Sequence, residues 1–343
     1  MRSLPPRLEL VAIDDGFDFT KAVARSMKTA CIPTAYARNP SLKASAMGGG
    51  LDTENVYEIE GSRYAVGPYV VSGDTRFDEF PYHPANLAIA MDALRRVVEP
   101  ATPVHVIAGV PLNRFYSDGT ANDSISEKKT YAWSRVVRPL QGPALPHIAR
   151  VSVISEALAA WFDHVIDDNF NIRHDLANDF MAVVDIGGRT TDIAVLENRK
   201  INFELSGTMD SGVLGIRRRI SDVVAAKYPA LKIPRALLDE AMTLGRLSLG
   251  AGEIDVSTHV LDGRRSLALE IEDFLHSRFG SQMPLMKRVL FVGGGAKALQ
   301  TDLSTLFPSA VFARNPQMAN ARGMLKFGVA VAEYENEDMV ANA

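Results

Sequence analysis

The chain has 343 residues, 47% of them hydrophobic, which is enough for two or three domains with ordinary cores. Charged residues make up 23% and the net charge is -4, so nothing in the overall balance favours nucleic acid or a membrane surface, and a role on DNA would run through a partner. The lone cysteine, Cys31, excludes an intramolecular disulfide and fits a reducing compartment. Residues 1–9 lack the apolar core of a signal peptide, and no stretch approaches the ~20 apolar residues of a membrane span, so the expectation is a soluble intracellular protein.

Residues 8–13 read as a strand feeding a polar turn, Asp14-Asp15-Gly16-Phe17-Asp18-Phe19-Thr20-Lys21. A glycine in such a turn lets backbone approach a ligand, and clustered turn amides make an anion site. Lys21, on the second arm, either reaches an anion or is a surface lysine. Residues 31–55 are rich in Ser, Ala, Gly and Pro and read as a long, mobile excursion with short strands. Its Gly48-Gly49-Gly50 run has no helix signal after it and reads as loop rather than phosphate cradle. Val56–Ile59 and Ser62–Val66 around Glu60-Gly61 read as a hairpin. Apolar spacing predicts a helix over 84–98, followed by a buried strand over 104–110. Then come Pro111-Leu112-Asn113-Arg114-Phe115-Tyr116, a polar loop through Asp118-Gly119, the charged Glu127-Lys128-Lys129 and a strand over 131–137.

In 151–162 a β-rich run stops at Ser155 and an alanine-rich helix begins. Ser155 reads as its N-cap, with Glu156 in the first turn, where the helix dipole favours a carboxylate. A carboxylate at a strand-to-helix junction can alternatively orient water for attack on a phosphate. Further on, two short apolar strands, 181–184 and 193–196, flank Asp185-Ile186-Gly187-Gly188-Arg189-Thr190-Thr191-Asp192. An acid beside an anion-binding glycine turn makes sense when a cation lies between acid and phosphate, which suggests a metal-bound nucleotide; a plain hairpin with a solvated Asp185 is the alternative. Laid over the first turn, Asp14 meets Asp185, Gly16 meets Gly187 and Thr20 meets Thr191, half a chain length apart. Self-similarity at that distance points to two related halves, with two hairpins gripping a triphosphate from both sides.

Residues 200–205 read as strand, 206–212 as a turn cluster ending at Gly212, and 213–224 as a helix bearing Arg217-Arg218-Arg219. That triplet is either a solvated face or a source of one arginine, Arg218, for a ribose or base. Helices are expected over 237–247 and 267–279, with 250–264 as a polar connection between them. Residues 288–299 read as strand, glycine turn and helix, and Gly293-Gly294-Gly295 there would let backbone approach the adenosine side of a nucleotide. A last helix over 319–333 packs back on the first half, and the tail 336–343 frays. The chain has no P-loop, no HExxH or paired CxxC zinc signature and no GxSxG elbow.

In this order, two phosphate-type hairpins, a linking helix after Glu156 and a glycine loop at Gly293-Gly294-Gly295, the chain resembles the actin, Hsp70 and sugar-kinase ATPase superfamily. Within it, the chain is most similar to the ParM (StbA) family of bacterial actin-like plasmid-segregation proteins. That likeness is carried by Ile13-Asp14-Asp15-Gly16 with Lys21, Val110-Pro111-Leu112 with Phe115-Tyr116 and Glu127-Lys128-Lys129, Asp185-Ile186-Gly187-Gly188, and Val292-Gly293-Gly294-Gly295-Ala296.

The resemblance implies an α/β, actin-like fold of two ribonuclease-H-like domains flanking a nucleotide cleft. Domain I would be 1–165, with the C-terminal helix 318–335 packed back onto it, and domain II 166–317. The cofactors implied are ATP or ADP, with GTP as the alternative, and Mg2+. Asp14 and Asp185 would hold the metal through water, and Glu156 would position the attacking water, with Asp185 as its catalytic companion. Gly16, Phe17, Asp18 and Phe19 would cradle phosphates with Lys21, and Gly187, Gly188, Arg189 and Thr190 would do so on the other side. Gly212, Arg218, Gly293, Gly294 and Gly295 complete the nucleotide set. The family forms filaments from copies of itself in the cytoplasm, timed by ATP hydrolysis, without a membrane. They push apart plasmid DNA held indirectly, through a centromere-binding adaptor of the ParR type. Two positions depart from the pattern: Phe17-Asp18-Phe19 stands where relatives carry small hydroxyl or amide residues, and Arg189 replaces a small residue. A small-molecule kinase of the same superfamily and a non-polymerising actin-like scaffold are the competing functions.

Overall fold

A computed structural model of the chain describes residues 8–41, 53–117, 119–250 and 252–341. The Gly48-Gly49-Gly50 run, Asp118, most of the N-terminal stretch 1–9 and the last two residues of the tail lie outside the described residues. Two compact units divide the chain, one of Met1–Ala108 with Asp123–Val153, the other of Gly109–Asn122 with Ile154–Ala343.

The first unit is built on a five-stranded sheet in the order His147–Ser155, Pro103–Val110, Glu9–Asp15, Phe19–Ala24, Thr29–Pro33. Glu9–Asp15 runs parallel to Pro103–Val110 and antiparallel to Phe19–Ala24, with Asp14 opposite Lys21. Residues 10–13 are an unbroken apolar run because the strand is buried on both faces; Val11, Ala12 and Ile13 are fully enclosed. Helix Pro84–Leu94 covers this sheet. It starts on a proline, His83 Nδ1 accepts the Ala85 amide at 3.1 Å, and every residue from Ala85 to Leu94 is buried. The helix stops earlier than the expected 98, in turns that keep Val97 and Val98 in the core. A second sheet, Arg138–Pro139, Val56–Ile59, Ser62–Val66, Tyr36–Arg38, contains the expected hairpin.

The second unit repeats the plan. Its sheet runs Ala310–Phe312, Arg288–Val292, Met181–Ile186, Thr191–Glu197, Lys200–Ile201, again a parallel pair followed by an antiparallel hairpin and a third strand. The self-similarity of the two turns is therefore one of sheet topology as well. Helices Glu156–Val165 and Ala319–Ala341 pack along each other inside this unit. At Gly323 a Cβ would lie 1.6 Å from the Ala159 carbonyl, so only glycine lets the two backbones touch. Asp163 locks the crossing, accepting from Arg322 Nε at 3.0 Å and from Lys326 Nζ at 2.9 Å, with both cations buried. The C-terminal helix thus packs on residues that the sequence reading gave to domain I, while both helices fall in the second unit.

Several expected elements differ. Of the strand expected over 131–137, residues 131–133 instead end helix Asp123–Trp133, which opens on an acid, where the helix dipole favours one, and 134–137 are turn and irregular chain. The strand from 200 stops at Ile201, and Gly207–Met209, expected as turn, is a strand paired with Thr191–Glu197. The helix expected over 237–247 spans Arg235–Leu244 and ends at Gly245 in a left-handed conformation (φ 70°); the chain then turns into Arg246–Leu249, paired with Gly252–Asp255. The polar connection 250–264 therefore includes a strand and the first turns of a long helix, Ser257–Phe279. Helix Ala319–Ala341 continues into the stretch expected to fray. Among the described residues, no helix is long and apolar enough to cross a membrane.

Candidate functional site

The first hairpin turn, between Glu9–Asp15 and Phe19–Ala24, is tied down through its carbonyls. Gly16 O accepts from Thr34 Oγ1 at 2.7 Å, Phe17 O from Thr75 Oγ1 at 3.0 Å, and Asp18 O from the Thr34 amide at 2.9 Å. Thr34 Oγ1 also meets Thr20 Oγ1 at 3.0 Å. Phe17 leans on the core through Phe80, with ring centroids 6.0 Å apart, and Asp18 is buried beside it. The aromatic departure at Phe17 therefore serves the turn's own packing.

Both acids at the strand end meet ammonium groups. Asp14 Oδ2 accepts from Lys21 Nζ at 3.0 Å, across the register pair that the hairpin creates. Asp15 Oδ2 pairs with Lys129 Nζ, which also donates to Pro81 O at 3.3 Å and lies 4.6 Å over the Trp133 ring. Lys129 is completely buried, and nothing near it in sequence announces that role. At Gly16 a Cβ would stand 3.3 Å from Lys21 Nζ and 3.4 Å from Asp14 Oδ1, so the glycine opens the space over this pair.

The second hairpin turn is held from behind by a helix start. The amides of Val213 and Leu214 donate to Gly187 O (3.2 Å) and Gly188 O (2.9 Å), and Thr191 Oγ1 donates to Ser211 O at 2.9 Å. A Cβ on Gly212 would sit 2.5 Å from Gly188 O, which explains the glycine at that point. Arg189 is half-buried and pairs with Asp210 at 3.4 Å. Asp185 is buried at the end of Met181–Ile186; its Oδ2 accepts from Asn320 Nδ2 at 2.7 Å. On its other side stands Gly293 (φ 85°), where a Cβ would be 2.4 Å from Asp185 Oδ1 and 2.5 Å from Ile186 O. Gly295 presses on the same strand, 2.2 Å from Ile186 Cγ2 by the same measure. The triple glycine thus opens helix Gly293–Ala298 directly against the acid-bearing turn, with Gly294 half-exposed between its neighbours.

Asp192, opposite Asp185 in the register, accepts from Thr208 Oγ1 at 2.6 Å and Thr190 Oγ1 at 3.1 Å. Burial pushes its carboxyl above the ordinary value of 3.8, against the pull of the two hydroxyls and of Arg114.

Glu156 is the first residue of its helix and is half-buried, facing Gly109, where a Cβ would come within 2.7 Å of Glu156 Cγ. Ser155 occupies the N-cap position, but its buried hydroxyl makes no capping bond. The arginine triplet divides: Arg217 is buried on Asp239 at 2.7 Å, while Arg218 and Arg219 are exposed on the helix surface. Within the first unit the fold brings Asp14, Gly16 and Lys21 together. Within the second it brings together Asp185, Gly187, Gly188, Gly212, Gly293 and Gly295. Lys129 and Asn320 are the side chains that sequence reasoning missed.

Among the described residues, no three His, Cys, Asp or Glu side chains gather as a metal site. Asp185 nevertheless fits a magnesium ion that keeps most of its waters. It packs against a glycine backbone that brings no side chain over Oδ1, and the neighbouring Asn320 Oδ1 is a buried acceptor without a partner, the kind of group that accepts from a metal-bound water.

The comparisons agree with this architecture. Residues 12–132 match the family model for the N-terminal domain of actin-like proteins, and residues 183–305 match the model for the C-terminal part of the MreB-like archaeal actin homologue. The chain has an actin-like fold, with one actin-type family model matching in each half. Comparison of the sequence with curated proteins gives no match. Among solved structures, it is similar to a non-polymerisable quadruple mutant of the pCBH ParM (TM-score 0.77, 19% identity, 94% of this chain and 100% of that one). A ParM from a 15-stranded filament of Clostridium botulinum is similar to the same degree (0.76, 19%, 94% and 99%). An archaeal actin homologue in complex with ADP follows (0.70, 18%, 94% and 100%).

Proposed function

We propose that the chain is an ATP-dependent, filament-forming actin-like protein of the ParM kind. The observation that carries this reading is the duplicated hairpin: in each unit an acid ends a buried strand, a glycine turn follows, and the turn is pinned by bonds to its carbonyls. Asp14 and Asp185 would hold Mg2+ through water, and the bound ion would neutralise phosphate charge. The turns at Gly16 to Phe19 and Gly187 to Thr190 would bind phosphates, with Lys21 assisting, and Gly293 to Gly295 would back the adenosine. Glu156 would orient the attacking water. Such a site acts by positioning and charge neutralisation, with no covalent intermediate.

Hydrolysis would time the filament: a state favoured by ATP assembles, and its ADP form disassembles. Assembly of identical copies head to tail gives an open polymer rather than a closed ring. The net charge of -4 supports leaving DNA contact to a centromere-binding adaptor of the ParR type, so that the cargo is a plasmid held indirectly.

The test is light scattering of the purified protein after adding ATP and magnesium, with phosphate release followed in parallel. Scattering should rise above a critical concentration and decay as phosphate appears; hydrolysis without scattering, with ATP or GTP, would overturn the filament. Replacement Glu156→Ala should slow phosphate release by about 100-fold while assembly persists, the scale expected for losing a group that activates water. Equal rates for wild type and variant would remove Glu156 from the mechanism.

A further inference from the structure

Asn320 stands in the first turn of helix Ala319–Ala341 and is only 5% exposed. One side of its amide is engaged, with Nδ2 donating to Asp185 Oδ2 at 2.7 Å. The orientation is fixed by chemistry, because a carboxylate only accepts and the amide must turn its NH2 toward it. Its other side is unspent: Asn320 Oδ1 is buried and has no hydrogen-bond partner. An orphaned carbonyl oxygen at such a depth costs roughly 1–3 kcal/mol, so a protein keeps one where a ligand supplies the missing donor.

We propose that Asn320 is a positioning residue for a hydrated divalent cation at Asp185, with Nδ2 fixing the carboxylate and Oδ1 accepting a hydrogen from a cation-bound water. The inference rests on the nucleotide reading given above and adds to it the residue that would select the metal's water shell. Two features support water as the donor. Magnesium gives up its waters reluctantly and is held largely through them, so the residues that recognise it include acceptors placed beyond the first ring of ligands. The contact from Nδ2 is also neutral, so it orients Asp185 without cancelling the charge that attracts the cation. Gly293 completes the arrangement from the opposite side, where any Cβ would collide with Asp185 Oδ1. Within this unit the carboxylate thus meets an amide donor at Oδ2 and bare backbone at Oδ1, and an unfilled acceptor lies beside it.

The experiment is a fluorescence titration of a fluorescent ATP analogue with the full chain, at increasing Mg2+ and separately in EDTA, for wild type, Asn320→Leu and Asn320→Ser. Leucine keeps the volume and removes both polar functions; serine is small enough to fold if leucine is not, and lacks the carbonyl. Thermal melts without nucleotide establish that the variants fold. The expected result is that the variants need about 10-fold more Mg2+ for half-maximal binding, the usual scale for losing an outer-sphere partner, while affinity in EDTA stays within about twofold of wild type. An unchanged Mg2+ requirement overturns the proposal. So does an equal loss with and without Mg2+, which would mark Asn320 as a structural support only. A wild-type protein that binds no nucleotide under either condition would instead overturn the nucleotide reading, and this inference with it.

Discussion

The two hairpins share a topology and a motif but manage their buried acids by different means. In the first unit the acids meet ammonium groups, Asp14 with Lys21 and Asp15 with Lys129. In the second, the side-chain donors supplied from within the unit are neutral: the Asn320 amide at Asp185 and two threonine hydroxyls at Asp192. The difference separates two physical strategies. An ion pair cancels the net charge in a low-dielectric region and makes the turn depend on the cation, whereas neutral donors leave the net charge of the carboxylate in place and its protonation open to the surroundings.

The largest effect should follow from breaking the ion pair that is buried most deeply. Lys129→Met leaves Asp15 charged and enclosed, and should lower unfolding stability by about 3–5 kcal/mol in urea titrations. Adding Asp15→Asn should recover most of that loss, because the double variant buries no unpaired charge. A single variant as stable as wild type would mean that Asp15 reaches water despite its burial.

The glycines sharpen the same contrast. Gly293 has a φ of 85°, and a Cβ there meets Asp185 and Ile186 at 2.4–2.5 Å, whereas at Gly16 the nearest atom is Phe19 O at 3.1 Å. Gly293→Ala should therefore cost roughly 3 kcal/mol through overpacking and backbone strain, and Gly16→Ala less than about 1 kcal/mol. Parallel thermal melts check the order; equal losses would show that the second turn can shift to make room.

Much of this was legible in the chain, and the reason is local. A buried strand, an acid and a glycine turn occupy consecutive residues, so 8–21 and 181–196 carry their structure on their face, and the strand, glycines and helix of 288–299 do the same. What was hidden depends on distant neighbours. Glu127-Lys128-Lys129 reads simply as a charged run, yet Lys129, on a helix, is enclosed because its partner, Asp15, comes from a distant strand of the same unit. The residues after it, rich in Tyr, Trp and Val, mimic a strand although a helix covers Asp123–Trp133. Asn320 sits in Ala319-Asn320-Ala321-Arg322, which reads as ordinary helix. The available signal was periodicity: Asn320, Gly323, Met324 and Phe327 fall three and four apart and define the packed face, where a polar residue calls for a partner. Ser257–Phe279 began earlier than expected because Gly263 and the surrounding charges look like a connection, while in the fold that glycine makes room for Ile216, whose Cγ2 would lie 3.2 Å from a Cβ there.

A smaller effect is expected at the hydroxyls behind the second turn. Thr208→Val removes the 2.6 Å bond to Asp192 while keeping the shape, and should cost about 2 kcal/mol at neutral pH, the scale for a bond to a charged group. The loss should shrink in acid, where a protonated Asp192 needs the hydroxyl less. Denaturant titrations at two pH values check this; a loss independent of pH would mean that Thr208 matters for packing alone.

The smallest effect tests the charge itself. Because burial raises the Asp192 carboxyl above 3.8, the folded chain holds that proton more tightly than the unfolded chain does. Wild-type stability then falls as pH rises from the ordinary carboxylate value through the raised one, and levels off above it. Asp192→Asn is nearly isosteric and cannot ionise, so the variant lacks this fall. Relative to wild type it should gain stability across that window and keep a constant advantage beyond it. Nucleotide-free melting from about pH 4 to about pH 8 reads the difference directly. A gap that widens with pH supports a turn held by neutral donors around a reluctant charge. A gap that narrows, with the wild type gaining on the variant, would mean that Thr190, Thr208 and Arg114 together outweigh burial, and that the second hairpin, like the first, favours the charged form of its acid though by other donors.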